Sequence, residues 1–146
     1  STTNGTVDLG STTKSFKDLY LSSGLYLGGT GSANKMDEYE QGTWQPVIGG
    51  YNAGVGYYTK IGREVFIQAD ILCNASAAIT NLVTGLPFTA NDQKSVWYTG
   101  LSDNGVQCGY FGNNSTEMRA IQAGGTAAKN FNPSKRTILA GMYTAA

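Results

Sequence analysis

The side chains able to do chemistry are few, and no familiar catalytic arrangement is complete. The 146 residues contain no histidine. That removes the usual general base, the imidazole metal ligand and every Ser-His or Cys-His nucleophile pair. Carboxylates remain: Glu64, Asp70, Asp92, Asp103 and Glu117 would support glycoside hydrolysis if two of them faced each other across roughly 5–9 Å of a sugar-sized cleft. Glu64 and Asp70 share one predicted strand, where their spacing is about 20 Å, too far for such a pair. Asp92 and Asp103 fall in predicted turns. Asp103-Asn104-Gly105 offers oxygens to calcium but lacks the longer ligand pattern of a helix–loop–helix calcium loop, and reads as a hairpin turn. Gly28-Gly29-Thr30-Gly31-Ser32 lacks the lysine of a phosphate-cradling loop. The only cysteines, Cys73 and Cys108, are too far apart in sequence to resemble a metal or redox motif. Both occupy predicted inward-looking strand positions, where a free thiol behaves as a small hydrophobe. The expectation is a chain that is not an enzyme, with no cofactor and no metal.

Residues suited to binding cluster between Asn91 and Asn130. Trp97 offers an aromatic face, and Asn104, Gln107, Asn113 and Asn114 offer paired donors and acceptors. These five are the candidate binding residues. Tyr98 and Tyr110 share the parity of apolar neighbours and read as core. Asn113 and Asn114 follow Gly112 at a predicted hairpin end. The glycosylation sequons at Asn4, Asn74, Asn113 and Asn114 carry meaning only in a secretory pathway, and an Asn- and Thr-rich composition explains them.

Composition narrows the partners. Ten Lys and Arg balance ten Asp and Glu, so the formal charge is zero, and only 14% of residues are charged. With no basic stripe to compete for phosphates, a nucleic-acid partner is not expected. An apolar share of 40% argues against disorder. The apolar runs are too short to cross a bilayer, so no membrane insertion is expected, and no signal peptide is visible. An opening Ser1 in place of Met leads us to expect an excised fragment.

Three regions must position these residues. Residues 1–31 read as a stem. Leu19-Tyr20-Leu21 and Leu25-Tyr26-Leu27 stand six residues apart, and strand parity places Leu19, Leu21, Leu25 and Leu27 on one side if the turn between them keeps register. Val7 and Leu9 make an earlier rung. Three-residue strands joined by Gly and Ser build no core alone, so the stem needs partner chains. Residues 32–42 read as a linker with a short helix or turn, capped by Ser32 and ended by Gly42. Residues 43–146 read as the head.

In the head the period is two. Val55, Tyr57, Thr59 and Ile61 share one face, and Val65, Ile67, Ala69, Ile71 and Cys73 share another, with a turn anchored by Gly62 between them. A hairpin with two long arms is predicted. Further strands are expected over 79–83, 95–101, 106–111, 117–123 and 136–144. Many short antiparallel strands with this spacing indicate a sandwich or jelly roll. Several strands are apolar on both faces: Phe66 and Leu72 oppose Ile67 and Ile71, Trp97 opposes Val96 and Tyr98, and Leu139 and Tyr143 oppose Ile138 and Met142. A solvated outer face would be polar. Two-sided strands point to burial against another chain or layer.

The segment from Asp8-Leu9-Gly10-Ser11-Thr12-Thr13-Lys14 through Asp18-Leu19-Tyr20-Leu21-Ser22 resembles the repeat that precedes the tip of bacteriophage tail-fibre proteins, notably those of marine and cyanobacterial phages. The likeness continues in Gly28-Gly29-Thr30-Gly31-Ser32-Ala33-Asn34-Lys35-Met36-Asp37-Glu38-Tyr39-Glu40. Gly42-Thr43-Trp44-Gln45-Pro46, Tyr57-Tyr58-Thr59-Lys60-Ile61-Gly62-Arg63-Glu64-Val65 and Leu86-Pro87-Phe88-Thr89-Ala90 resemble parts of the associated head. The likeness is dense over residues 8–70 and 85–90 and diffuse from about 91 to 135. It implies an all-β homotrimer, an intertwined trimeric β-stem followed by an antiparallel β-sandwich or jelly-roll head. The implied place is the virion tail fibre, alongside other phage tail proteins. The implied task is recognition of a host cell-surface glycan or outer-membrane protein. Two alternatives stay open: a purely structural virion component, such as a fibre shaft terminus or decoration protein, and a polysaccharide depolymerase subunit.

Overall fold

In the computed structural model the described residues are 5–91, 95–103, 105, 106, 108–121 and 127–146. They fall into two compact units, Ser1–Asp37 and Glu38–Ala146.

In the first unit, β1 (Leu25–Tyr26) pairs antiparallel with β2 (Lys35–Met36), and a single 3-10 turn, Ser32–Asn34, lies between them. Asn34 closes this hairpin: its side-chain amide donates to the Leu27 carbonyl at 3.1 Å, and its own carbonyl accepts from the Leu27 N–H at 2.9 Å. Of residues 32–42, read as a linker with a short helix or turn, Ser32–Asn34 form a turn of 3-10 type and the rest is extended. One 3-10 turn is followed by two strands, because the backbone groups from Lys35 onward find cross-strand partners and the acidic residues lie too late to support a helical first turn.

The second unit is one antiparallel sheet of ten strands in the order β3-β6-β7-β12-β9-β10-β11-β8-β4-β5. These are β3 (Tyr39–Trp44), β4 (Val47–Ile48), β5 (Tyr51–Asn52), β6 (Gly54–Ile61), β7 (Glu64–Leu72), β8 (Leu82–Thr84), β9 (Val96–Ser102), β10 (Cys108–Phe111), β11 (Glu117–Ile121) and β12 (Arg136–Thr144). The sheet curls, and its two halves enclose one core in which Val65, Ile67 and Ile71 join Val83, Phe111 and Met118. The expected all-β antiparallel architecture is present, built from one continuous sheet and not from two separate ones.

The predicted hairpin forms as read. Ile61 pairs with Glu64, so Gly62 and Arg63 make a two-residue turn. Gly62 takes a φ of +59°, which a side chain would resist. Along β7 burial alternates strictly, with Val65, Ile67, Ala69 and Ile71 inward. The strand expected over 79–83 forms at Leu82–Thr84, and the last strand, Arg136–Thr144, matches its predicted bounds.

Two features of β9 set the geometry of the neighbouring surface. Trp97 pairs with Gly109 on one side and with Gly141 on the other. A Cβ at Gly109 would run into the indole, and one at Gly141 into the Trp97 Cβ and the Phe111 ring, so the two missing side chains leave the slot in which Trp97 is wholly buried. Further along, Ile138 pairs with Leu101 but Leu139 pairs with Thr99, which leaves Gly100 as the extra residue of a β-bulge. The bulge shifts the parity of the strand, and Leu101, which simple alternation would bury with Trp97, faces solvent. Beyond it a polar cluster ties the end of the strand: the Thr99 hydroxyl donates to the Val106 carbonyl at 2.7 Å, and the Ser102 hydroxyl accepts from the Val106 N–H at 3.2 Å.

Candidate functional site

Among the described residues, the four carboxylates singled out from the sequence, Asp70, Asp103, Glu64 and Glu117, each have a partner. Asp70 is held by Arg136, whose Nε donates to it at 2.8 Å. This hydrogen bond and the guanidinium charge keep the Asp70 carboxyl below the usual carboxylate range. Asp103 lies at the far side of the same arginine and accepts from the Arg136 backbone N–H at 3.4 Å. Glu64, at the other end of β7, accepts from the Thr144 hydroxyl at 3.0 Å, and Glu117 contacts Arg119 two residues along its own strand at 3.4 Å. Asp92 lies outside the described residues. Among the described residues no three His, Cys, Asp or Glu gather as metal ligands.

The five candidate binding residues separate. Asn113 and Asn114 are exposed on the turn between β10 and β11, where Gly112 N–H donates to the Glu117 carbonyl at 2.7 Å and Asn114 takes a left-handed φ of +48°. Asparagine tolerates that conformation better than most residues. Asn104 and Gln107 lie outside the described residues. Trp97 is a correction: it is fully buried, stacked on Phe131 with ring centroids 6.4 Å apart, and presents no face to a receptor. Tyr98, read as core, is instead 62% exposed. The alternation of Val96, Trp97 and Tyr98 is as predicted, but the inward side is the one that Gly109 and Gly141 open.

Cys73 is buried, and that burial pushes its thiol pKa up. Cys108 is half-buried, and neither cysteine is in a disulfide. Leu19, Leu21, Leu25 and Leu27, read from the sequence as the core of a stem, are all 41–59% exposed.

A surface depression of the second unit lies on the outer side of β6, β7, β12 and β9. It has a volume of about 620 Å³, is flanked by Tyr57 and Tyr98 and is floored by Gln68, Ala140 and the bulged Gly100. Sequence reasoning recognised that β7, β9 and β12 are apolar on both faces. It missed the depression because the bulge that shapes it carries no local signal beyond a glycine. No family model, curated protein or solved structure matches the chain.

Proposed function

We propose that this chain is the tip region of a bacteriophage tail fibre. In this reading it is a non-enzymatic homotrimeric adhesin on the virion that recognises a host cell-surface glycan or outer-membrane protein. The observation that carries the reading is the exposure of the leucines of the first unit. Among the described residues Leu19, Leu21, Leu25 and Leu27 are exposed, and the strands β1 and β2 are two residues long each. Such a segment gains order by lying against other chains. A trimeric stem gives each leucine two equivalents to meet, and the ordered resemblances over residues 8–70 supply the fibre context.

In this reading the β10–β11 turn, with Asn113 and Asn114, carries receptor contacts. Three copies around a fibre axis would present weak sites together, and avidity raises apparent affinity by about 10² or more. Native mass spectrometry of the purified chain should give three chains per particle. A monodisperse monomer refutes the fibre reading. Adsorption to whole cyanobacterial and marine bacterial cells should fall in an Asn113→Ala, Asn114→Ala double variant of unchanged assembly and melting. Undiminished adsorption moves the contact elsewhere in the head.

A further inference from the structure

The strands β6, β7, β12 and β9 lie side by side, and their outer side is set out in rows by the cross-strand register. Val55, Asp70, Ile138 and Leu101 form one row, and Tyr57, Gln68, Ala140 and Tyr98 the next. Phe66 and Met142 continue the pattern in a third. Ten large apolar side chains of this face are 37–62% exposed. A sheet face that met only water would be polar. A contiguous apolar surface of this breadth marks an interaction site.

We infer that this face is an interface between copies of this chain, so that the second unit associates through its own sheet in addition to any contact made by the first 37 residues. The inference rests on the part of the proposed function in which the chain assembles with itself, and not on host binding. Area is the first argument. Ten half-exposed side chains at roughly 80–100 Å² each offer on the order of 800–1,000 Å² per chain, the share one partner contributes to a standard interface. Charge is the second. Asp70 and Arg136 neutralise each other at one end, and Glu64 at the other is hydrogen-bonded by Thr144. A strongly charged partner finds little to recognise, and like faces meet with little repulsion. Shape is the third. The depression at Ala140 and Gly100 lies beside protruding Tyr57 and Tyr98, so one face carries both the socket and the side chains that would fill it.

Methionine oxidation reads this face directly. The chain has three methionines. Met142 is 48% exposed on the face, while Met118 is fully buried in the core and reports whether the fold is intact. The full chain is treated briefly with hydrogen peroxide, each methionine is followed by peptide mass spectrometry, and native mass spectrometry is run on the same samples. Met142 should oxidise at least tenfold more slowly in the wild-type oligomer than in Ala140→Glu, which puts a carboxylate at the centre of the face. Tyr98→Lys provides a second variant, and Met118 should stay protected in whichever variant is scored. An oligomer in which Met142 reacts as fast as in the urea-unfolded chain overturns the inference but leaves the stem-based fibre reading standing. A reactive Met142 in a monomer overturns both. Protection of Met142 in a monomer also overturns it, because the chain would then be covering its own face. Protection that appears only on adding host polysaccharide assigns the face to a glycan and overturns it as well.

Discussion

Replacing Tyr143 with Phe isolates one hydroxyl that ties β12 to a distant loop. Tyr143 is buried against Phe111, with ring centroids 4.7 Å apart. Its hydroxyl donates to the Phe88 carbonyl at 3.0 Å and accepts from the Phe88 N–H at 3.2 Å. The substitution keeps the ring, so no large cavity opens; it removes two hydrogen bonds that join residues 55 positions apart. A neutral hydrogen bond contributes about 0.5–1.5 kcal/mol net, and orphaning a fully buried partner costs about 1–3 kcal/mol. Phe88 is only half-buried, so water can partly replace the lost hydroxyl. The expected loss is about 1–2 kcal/mol, toward the lower half of those ranges. Urea unfolding at one fixed chain concentration should show a lower midpoint with an unchanged slope, concentration being fixed because an assembling chain has concentration-dependent stability. A change below about 0.3 kcal/mol, or a stabilisation, would refute the claim that this hydroxyl holds the loop.

The same residue predicts alkaline behaviour. Burial raises the Tyr143 pKa above its unfolded value, so its contribution is complete below about pH 10 and is lost as pH rises from there toward the folded-state pKa. Wild type should therefore lose stability above pH 10 more steeply than Tyr143→Phe, and parallel pH profiles would contradict the assignment. Gly109→Ala would push a methyl group into the Arg119 carbonyl oxygen and the Trp97 ring; a loss of about 1–3 kcal/mol is expected in urea unfolding, and wild-type stability would show that the slot is loose. Leu21→Asp should dissociate the stem, since each chain forfeits up to about 1.5–3 kcal/mol of leucine burial and sets a carboxylate among apolar neighbours. Unchanged assembly by native mass spectrometry would break the proposed stem register. Incubation with host polysaccharide should release no reducing ends, and release above a denatured control that one carboxylate substitution abolishes would make the chain a hydrolase.

The head hairpin was legible because two independent signals coincide: period-two alternation on both arms and a glycine where the turn needs positive φ. The last strand has its predicted bounds although its apolar residues fall on both faces; only its burial alternates, with Thr137, Leu139 and Tyr143 inward. Alternation identifies which residues share a face, and it did so correctly at Val96, Trp97 and Tyr98. It says nothing about which face is inward when both are apolar. That choice depends on Gly109 and Gly141, residues 12 and 44 positions from Trp97, which become its neighbours only when β10 and β12 pair with β9. The bulge at Gly100 likewise exists only against the register of β12; it turns Leu101 outward, and Gly100 lines the depression beside Tyr57 and Tyr98. Charge pairing follows the same rule. Asp70 and Arg136 are 66 positions apart, and only the antiparallel register of β7 with β12 brings the carboxylate to the guanidinium. Sequence by itself determined local periodicity and turn chemistry, which depend on each residue's own backbone preferences. The side of the sheet that becomes core, and hence the surface left for a partner, was decided by strand pairing across the chain, because a side chain is buried only where its distant neighbours leave it room.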